Sequence, residues 1–250
     1  MSEPSMPVVR LKIPIEQFHQ LPQHPAYKYE YIDGKALLTP RPKFYHALLD
    51  LHALAATPAW EKECLEVTIQ PLQPDKLFDL APLFMGAFHR QLPFANLIDD
   101  QREAAARKAL EKVAQGGDGP WIVPASFVAW EQEHEVGAIL VTLLPHGDLS
   151  DWHGYHWRDT PPKDCIEKCL GRPHVTWIFV SPWLAGHGIG TALLHAAGNK
   201  LLEMGYSELA STFMAGNDSS MLWHWRNGFR LLPYPGSWRV MHKRIEERKA

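Results

Sequence analysis

From residue 66 onward, hydrophobic positions recur at the spacings of alternating strands and helices. The run LEVTIQPL is a strand candidate, and Pro74-Asp75 opens a helix whose apolar side carries Leu77, Leu80, Leu83, Phe84 and Phe88. A second helix is predicted from about 100 to 114, ended by Gly116-Gly117. This rhythm predicts a domain that occupies residues 66–250.

The middle and end of the chain add the remaining elements. SFVAWEQEHEVGAILVTLLP predicts a hairpin that turns near 133–135, and HVTWIFV at 174–180 is typical of a central strand buried on both faces. A helical pattern starts near 189 and is capped by Gly205. SELASTFM, SSMLWHWRN and WRVMHKRI follow as strand, short helix and strand. Residues 174–214 therefore form a strand–helix–strand unit, whose strands should run parallel with a right-handed crossover.

Residues 1–65 have a different pattern and are predicted to form an extension. YKYEYIDGKALLTP contains two extended runs joined by Asp33-Gly34, a strong hairpin signal. A helix should follow, with Phe44, Leu48, Leu51 and Leu54 on one side. Residues 10–55 resemble the opening hairpin of the Uma2-type nuclease family, but that family's later acidic catalytic segment has no counterpart here. The expected role is structural cover, with a partner-binding module as the alternative.

Composition narrows the class of protein. The 250 residues carry a net charge of -3 with 46% hydrophobic residues, which fits a globular protein and argues against a general nucleic-acid binder. No apolar run is long enough for a signal peptide or a membrane span. Three cysteines at irregular spacing do not make a disulfide framework, so a reducing, cytoplasmic setting is expected.

Candidate chemistry begins at Val180 to Leu194, VSPWLAGHGIGTALL, where three glycines separate a predicted strand from a predicted helix. A helix N-terminus offers unpaired N–H groups and a positive dipole end, which suit an anion such as phosphate. The Walker-type loop is excluded because no Gly-Lys-Ser/Thr follows. The dinucleotide fingerprint requires Gly-x-Gly-x-x-Gly, whereas the spacing here is Gly-x-Gly-x-Gly.

The loop resembles the acetyl-CoA pyrophosphate loop of the GCN5-related N-acetyltransferase (GNAT) family. Its matching positions are Val180, Pro182, Gly188 and Gly190, while Ala185 stands where that family usually has Gln or Arg. The segment NDSSMLWHWRNGF resembles the family's downstream motif through Asn217, Gly228 and Phe229, with Ser220 and Trp223 as replacements. The resemblance covers about residues 66–245. It implies the GNAT fold, an α/β arrangement with a mixed α+β sheet.

The resemblance also implies how acetyl-CoA would be held. The two central strands would splay, with the pantetheine arm between them and the backbone at Phe179–Val180 meeting the thioester carbonyl. The pyrophosphate would be bound through N–H groups of the loop, at Gly186, Gly188, Ile189, Gly190 and Thr191. Asn217 would hydrogen-bond the pantetheine arm, although an Asn at this place is also a good helix N-cap.

The implied reaction is direct attack of an amine on the thioester, which calls for a base and a proton donor for the leaving thiolate. His224 aligns with the family's usual Tyr acid, so it is the candidate acid. The alternative is that His224 is a spacer between Trp223 and Trp225 and that water protonates the thiolate. His174, which opens the central strand, is the candidate base.

The connection at 145–172 is unusually long for a strand-to-strand link and predicts a lid over the acceptor pocket. Asp151, Trp152 and Tyr155, together with Glu131 in the hairpin, are the candidates for binding a cationic amine. The spacing of its Cys and His residues is not that of a structural zinc site, so no metal is expected.

The sequence thus predicts a cytoplasmic N-acetyltransferase that transfers an acetyl or other acyl group from acetyl-CoA to a small-molecule or peptide amine. No nucleic acid or membrane partner is expected, and a homodimer is compatible with the sequence. The main alternative is a catalytically silent module that binds or senses acyl-CoA. Acceptor identity and acyl length are not encoded in any recognisable pattern.

Overall fold

The computed structural model describes residues 9–21, 27–40, 44–57, 66–91, 94–147, 156–214 and 217–232. The chain divides into two compact units, Met1–Phe44 and Tyr45–Ala250. In the described segments, no helix is long and apolar enough to cross a membrane.

The first unit is a small antiparallel sheet. It contains β1 (Val9–Leu11), α1 (Ile15–His19), β2 (Tyr27–Ile32) and β3 (Lys35–Pro40), in the sheet order β1-β3-β2. Asp33 and Gly34 form the turn between β2 and β3 with φ of 49° and 73°. Both positive φ angles are those of the two-residue hairpin turn, so the predicted hairpin is confirmed.

The second unit is built on a seven-stranded mixed sheet. Its strands are β4 (Phe44–Asp50), β5 (Val67–Pro71), β6 (Phe127–Glu131), β7 (His134–Pro145), β8 (Gly171–Val180), β9 (Glu208–Met214) and β10 (Arg230–Leu232). They lie in the order β10-β4-β9-β8-β7-β6-β5. Strands β8 and β9 are parallel, whereas the pairs from β5 to β8 and the pair β4–β10 are antiparallel. The predicted mixed sheet is confirmed.

The helix predicted across 44–54 is wrong for its first half. Phe44–Asp50 is strand β4, and only Leu51–Ala55 is helical, as α2, with Asp50 accepting from the N–H groups of His52 and Ala53 at 2.9 and 3.2 Å. His46 and Ala47 are both fully buried although they point to opposite faces. Because a strand inserted between two others is buried on both sides, its apolar positions do not show a two-residue period. The units accordingly divide at residue 44, not after residue 65 as the sequence pattern suggested.

Helices cover both faces of this sheet. The stretch from Pro74 begins as a 3-10 helix (Pro74–Leu80) and continues as α3 (Ala81–Phe88); α4 (Asp99–Ala114), α5 (Ile189–Glu203) and α6 (Asp218–Arg226) follow. The neighbours Leu140 and Val141 on β7 belong to different cores, one formed with α3 and α4 and the other with α5. The hairpin turns at 132–133, slightly before the predicted place. The predicted last strand, WRVMHKRI, lies outside the described residues.

The parallel pair at the centre separates part-way along its length. Within the described residues, β8 and β9 are in register only at His174↔Ala210 and Val175↔Ser211. Strand β8 nevertheless continues to Val180, paired on its other side with β7. Beyond Val175, β8 therefore has no paired strand on its β9 side among the described residues, and we name this open side of β8 the gap.

Candidate functional site

The glycine loop joins the end of β8 to the N-terminus of α5. A 3-10 turn, Pro182–Leu184, leads to Gly186 and Gly188, whose φ angles are 82° and 84°. This left-handed backbone strains any residue with a Cβ, which explains glycine at both positions. Gly188 is the N-cap of α5, and it brings no side-chain hydrogen bond to the helix end.

The loop leaves several backbone donors available. In the described part of the chain, the N–H groups of Gly186, Gly188, Ile189 and Gly190 have no backbone acceptor. Thr191 differs, because its N–H donates to the Gly188 carbonyl at 2.9 Å, so its hydroxyl is the group that remains for a ligand. A fifteen-residue helix with a bare N-terminus is a suitable site for a phosphate group.

Two side chains near these donors also carry unsatisfied polar atoms. Nε1 of Trp223 and Nδ1 of His187 are buried and have no hydrogen-bond partner among the described residues. The Trp223 indole crosses the loop, with Nε1 only 3.1 Å from the place where a Cβ on Gly190 would lie. A buried N–H without a partner is costly, so these atoms fit a bound polar ligand at the loop.

The backbone of β8 identifies which N–H faces the gap. Ser181 donates its N–H to Val136 at 2.8 Å, on the β7 side. The Phe179 carbonyl also points to β7, since it lies 3.2 Å from a Cβ built on Gly137. Because N–H groups alternate in direction along a strand, Val180 points its N–H away from β7 into the gap. Of the predicted pair, Val180 is the residue with a donor there.

Asn217 lies at the start of α6. Its side-chain oxygen accepts from the Ser220 N–H at 3.1 Å, so it caps the helix. The amide NH₂ group is not used in that bond and is still able to donate to a ligand.

His224 is buried in α6, with 1% of its surface exposed. Its Nδ1 donates to the Ser220 carbonyl, and Nε2 lies at the Ser211 hydroxyl, both at 2.7 Å. Its ring stacks on Phe213 with centroids 4.3 Å apart. Burial lowers the pKa of His224 to about 4, although the bond to Ser220 opposes this shift. The imidazole is therefore neutral at neutral pH.

His174 lies where β8 and β9 are still paired. Burial, followed by the charges of His46 and His224, lowers its pKa to about 3. It belongs to a row of polar groups that crosses four strands, which we name the hydroxyl–imidazole chain: His46, Thr212, His174, Thr176, Thr142 and the Asp118 carbonyl. Sequence patterns did not single out His46 or the threonines, because only the insertion of β4 beside β9 brings them together.

The predicted acceptor residues are only partly described. Glu131 is the last residue of β6 and pairs with His134 at the start of β7. Three residues further along β7, Gly137 pairs with Val180 at the end of β8. Glu131 therefore lies at the same end of the sheet as Val180. Asp151, Trp152 and Tyr155 lie outside the described residues. The described second half of the 145–172 connection packs at the opposite end of the strands. There the Tyr206 hydroxyl donates to the Ile166 carbonyl at 2.9 Å.

Among the residues that the structure describes, no three His, Cys, Asp or Glu side chains are grouped so that they could hold a metal ion.

Together, the separating strands, the bare helix N-terminus and the unsatisfied donors form a site whose shape and donors suit an extended, phosphate-bearing ligand. Residues 103–229 match the model of the acetyltransferase (GNAT) family. This match spans half of the chain, and the chain belongs to that family. The class of reaction is acyl transfer from coenzyme A to an amine.

Solved structures of similar proteins include N-acetyltransferases. PaiA N-acetyltransferase from Thermoplasma acidophilum, in complex with coenzyme A, is 14% identical, with a TM-score of 0.49; the match covers 69% of this chain and 95% of that one. A GCN5-related N-acetyltransferase from Sphaerobacter thermophilus is 15% identical, with a TM-score of 0.47, covering 90% of this chain and 56% of that one. No curated protein sequence matches the chain.

Proposed function

We propose that the protein is an N-acetyltransferase that moves an acetyl or related acyl group from acetyl-CoA directly to an amine. The observation that carries the proposal is the gap between β8 and β9, which leads to a helix N-terminus where four N–H groups lack a backbone acceptor among the described residues. Pantetheine is long and narrow and ends in a pyrophosphate, so it matches this combination of gap and helix end.

Each part of acetyl-CoA has matching groups. The pyrophosphate would accept hydrogen bonds from the N–H groups of the glycine loop and from the Trp223 indole. Thr191 would contribute its hydroxyl, and the Asn217 amide would donate to the pantetheine arm. The Val180 N–H would face the thioester oxygen, where negative charge grows as the amine attacks. The C–N bond forms, the C–S bond breaks, and the thiolate takes up a proton.

We assign the proton-accepting role to His174. Its neutral ring has an unprotonated nitrogen throughout the neutral pH range, and it lies beside the point where the strands separate. Its low pKa makes it a weak base, so the amine would lose its proton during attack rather than long before it.

The role of His224 as acid stays a prediction with a direct test. A proton donor would have to be the imidazolium, whose formation is opposed by burial, so the environment favours the alternative in which water protonates the thiolate. A His224→Phe variant with unchanged turnover would remove the acid role; a large fall in kcat with intact coenzyme A affinity would support it.

Glu131, Asp151, Trp152 and Tyr155 are proposed to bind the amine. Carboxylates and aromatic faces attract cations, so replacing each residue by Ala should raise KM for the amine and leave KM for acetyl-CoA unchanged. An unchanged KM for the amine in all four variants would exclude this assignment.

A silent acyl-CoA-binding module is the second candidate, and one observation favours it. Both candidate catalytic histidines are neutral and poorly basic because the fold buries them. Such a protein would bind coenzyme A tightly and release no thiol when amines are added.

Two measurements on the full chain separate these candidates. Calorimetric titration with coenzyme A tests binding, and thiol release from acetyl-CoA with polyamines, amino acids, aminoglycosides and peptide N-termini tests transfer. The Gly188→Val variant should lose binding because its φ is 84°; the control Gly34→Val strains a similar glycine, at φ 73°, in the first unit. If the wild type does not bind coenzyme A, both candidates fail.

A further inference from the structure

The hydroxyl–imidazole chain is a continuous row of hydrogen bonds across β4, β9, β8 and β7. His46 Nδ1 lies 3.2 Å from the Thr212 hydroxyl, which lies 3.1 Å from His174 Nε2. His174 Nδ1 lies 3.4 Å from the Thr176 hydroxyl, and that hydroxyl lies 2.7 Å from the Thr142 hydroxyl. The Thr142 hydroxyl donates to the Asp118 carbonyl at 2.8 Å. The row therefore ends on an atom that can only accept.

That end fixes the direction of every bond in the chain. Because the single hydroxyl proton of Thr142 is donated to the Asp118 carbonyl, the 2.7 Å contact between the two hydroxyls requires Thr176 as its donor. The Thr176 hydroxyl also lies 3.5 Å from the His174 carbonyl, and the much shorter contact to Thr142 takes its proton. His174 then has to donate from Nδ1 to the Thr176 oxygen, which leaves Nε2 as an acceptor. The Thr212 hydroxyl donates into Nε2, and it accepts in turn from His46 Nδ1. Each contact receives one proton, and the opposite direction would leave the Asp118 carbonyl without its donor.

The chain is placed at the apex of the gap. The last register pair of β8 and β9 is Val175↔Ser211, so Thr176 and Thr212 are the first residues after the strands separate. His174 lies one step behind them, in the part that is still paired. Among the described residues, these two hydroxyls are hydrogen-bond partners of the His174 ring on the side of the gap.

Their hydrogen bonds distinguish the two threonines. Thr176 accepts from His174 and directs its own proton away, toward Thr142, so it cannot deliver a proton to the ring. Thr212 directs its proton at Nε2, which has the lone pair. Of these two described hydroxyls, Thr212 is therefore the one oriented to pass a proton into His174.

We propose that Thr212 is a positioning residue through which His174, held as the Nδ1–H tautomer, takes the proton that the amine loses; this role rests on the proposed acetyl transfer. As the neutral amine attacks the thioester carbonyl, its nitrogen gives one proton to the Thr212 oxygen while the Thr212 proton moves to His174 Nε2. The C–N bond forms and the C–S bond breaks, so the products are an amide, an intact hydroxyl, an imidazolium and a thiolate, and nothing is oxidised or reduced. His46 Nδ1 donates to the Thr212 oxygen from β4, so the first strand of the second unit contributes to the site.

Two titratable groups act on His174 from neighbouring elements: His46 on β4 and His224 on α6. Burial lowers the pKa of both to about 4, so both are neutral at neutral pH. A neutral His46 is a donor at one nitrogen only, which the single direction of the chain requires.

The direction of the chain is tested by NMR on the full-length protein labelled with ¹⁵N-histidine, using long-range ¹H–¹⁵N spectra and His174→Gln for assignment. The expected result is an Nδ1–H tautomer at His174. In the Thr212→Val variant, His174 should keep the Nδ1–H tautomer, but its Nε2 resonance should move toward that of a ring nitrogen without a hydrogen bond. In the Thr212→Ser variant, the Nε2 resonance should return to its wild-type position. An Nε2–H tautomer in the wild type, or an unmoved Nε2 resonance in Thr212→Val, would overturn the proposal.

Steady-state kinetics tests the role in the reaction. Thr212→Val should lower kcat by about a hundredfold, with coenzyme A affinity unchanged and with Thr212→Ser close to wild type. Equal kcat in Thr212→Val and wild type would overturn the proton transfer. If no amine releases thiol, the proposed function fails, whereas the NMR measurement still decides the chain's direction.

Discussion

At the scale of single residues, the environment of the second unit lowers the pKa of His46, His174 and His224 well below the usual value near neutrality. His46 and His224 are 0% and 1% exposed, and burial lowers the pKa of each to about 4. His174 is lowered further, to about 3, since the charges of the other two add to its burial. The fold thereby obtains neutral imidazoles that can donate from one nitrogen and accept at the other.

These shifts predict a pH-dependent stability. Each histidine binds a proton more weakly in the folded chain than in the unfolded chain, so its contribution is complete above about pH 6.5 and is lost as pH falls toward 4. The free energy of unfolding, measured by urea denaturation, should fall by about 2 kcal/mol for each histidine between pH 7 and pH 5.

A matched pair of variants checks that assignment. His224→Phe should reduce the fall between pH 7 and pH 5, because it removes one of the buried groups. His52→Gln, at an exposed position on α2, should leave the fall unchanged. Stability that is constant from pH 5 to pH 7 in the wild type would contradict the prediction.

Trp223 gives a prediction about coenzyme A itself. Its buried Nε1 has no partner in the described region and lies at Gly190, where the helix N-terminus is bare. Trp223→Phe should therefore raise the Kd for coenzyme A about fivefold to tenfold, the value of one hydrogen bond. Trp225→Phe, at a side chain that is 72% exposed, is the control and should have no effect in the same calorimetric titration. Equal affinities of both variants would exclude the contact.

At the scale of elements, α2 packs closely on α5 because Gly198 has no side chain. A Cβ at that position would lie 2.6 Å from Leu54 Cδ2 and 3.4 Å from Leu51 Cδ2, and both leucines are buried. Gly198→Val should therefore lower the free energy of unfolding by about 1–3 kcal/mol.

The control for this variant is another helical glycine, Gly86 in α3. A Cβ there would meet nothing within 4 Å, so Gly86→Ala should raise the free energy of unfolding by about 0.5–1 kcal/mol. Chemical denaturation of both variants tests the packing, and a Gly198→Val protein as stable as the wild type would contradict it.

The elements also separate what the sequence could predict from what it could not. The glycine loop and α5 were predictable because their signals are local: positive-φ glycines, an apolar period and Gly205 at the end. Strand β4 was not, because its burial on both faces depends on partners far along the chain. For the same reason His46 and Thr212 carried no signal, whereas His174 could be named from its place on β8.

At the scale of the whole molecule, the division at residue 44 predicts which part of the N-terminal region can be removed. A chain without residues 1–43 keeps β4 between β9 and β10, and it should unfold cooperatively and bind coenzyme A. A chain without residues 1–65 loses that strand, so it should show no cooperative thermal transition. Calorimetry of the two truncated chains would contradict the division if both unfolded alike.

The insertion of β4 also has a consequence for how the protein is made. The contact between His46 and Thr212 joins residues 166 positions apart, and the strand's other neighbour, Arg230–Leu232, is more distant still. During synthesis, β4 therefore cannot pair with both of its neighbouring strands until Leu232 has left the ribosome. Such long-range pairing folds slowly and leaves a strand edge exposed meanwhile. We expect the newly made chain to depend on chaperones far more than its finished stability would suggest.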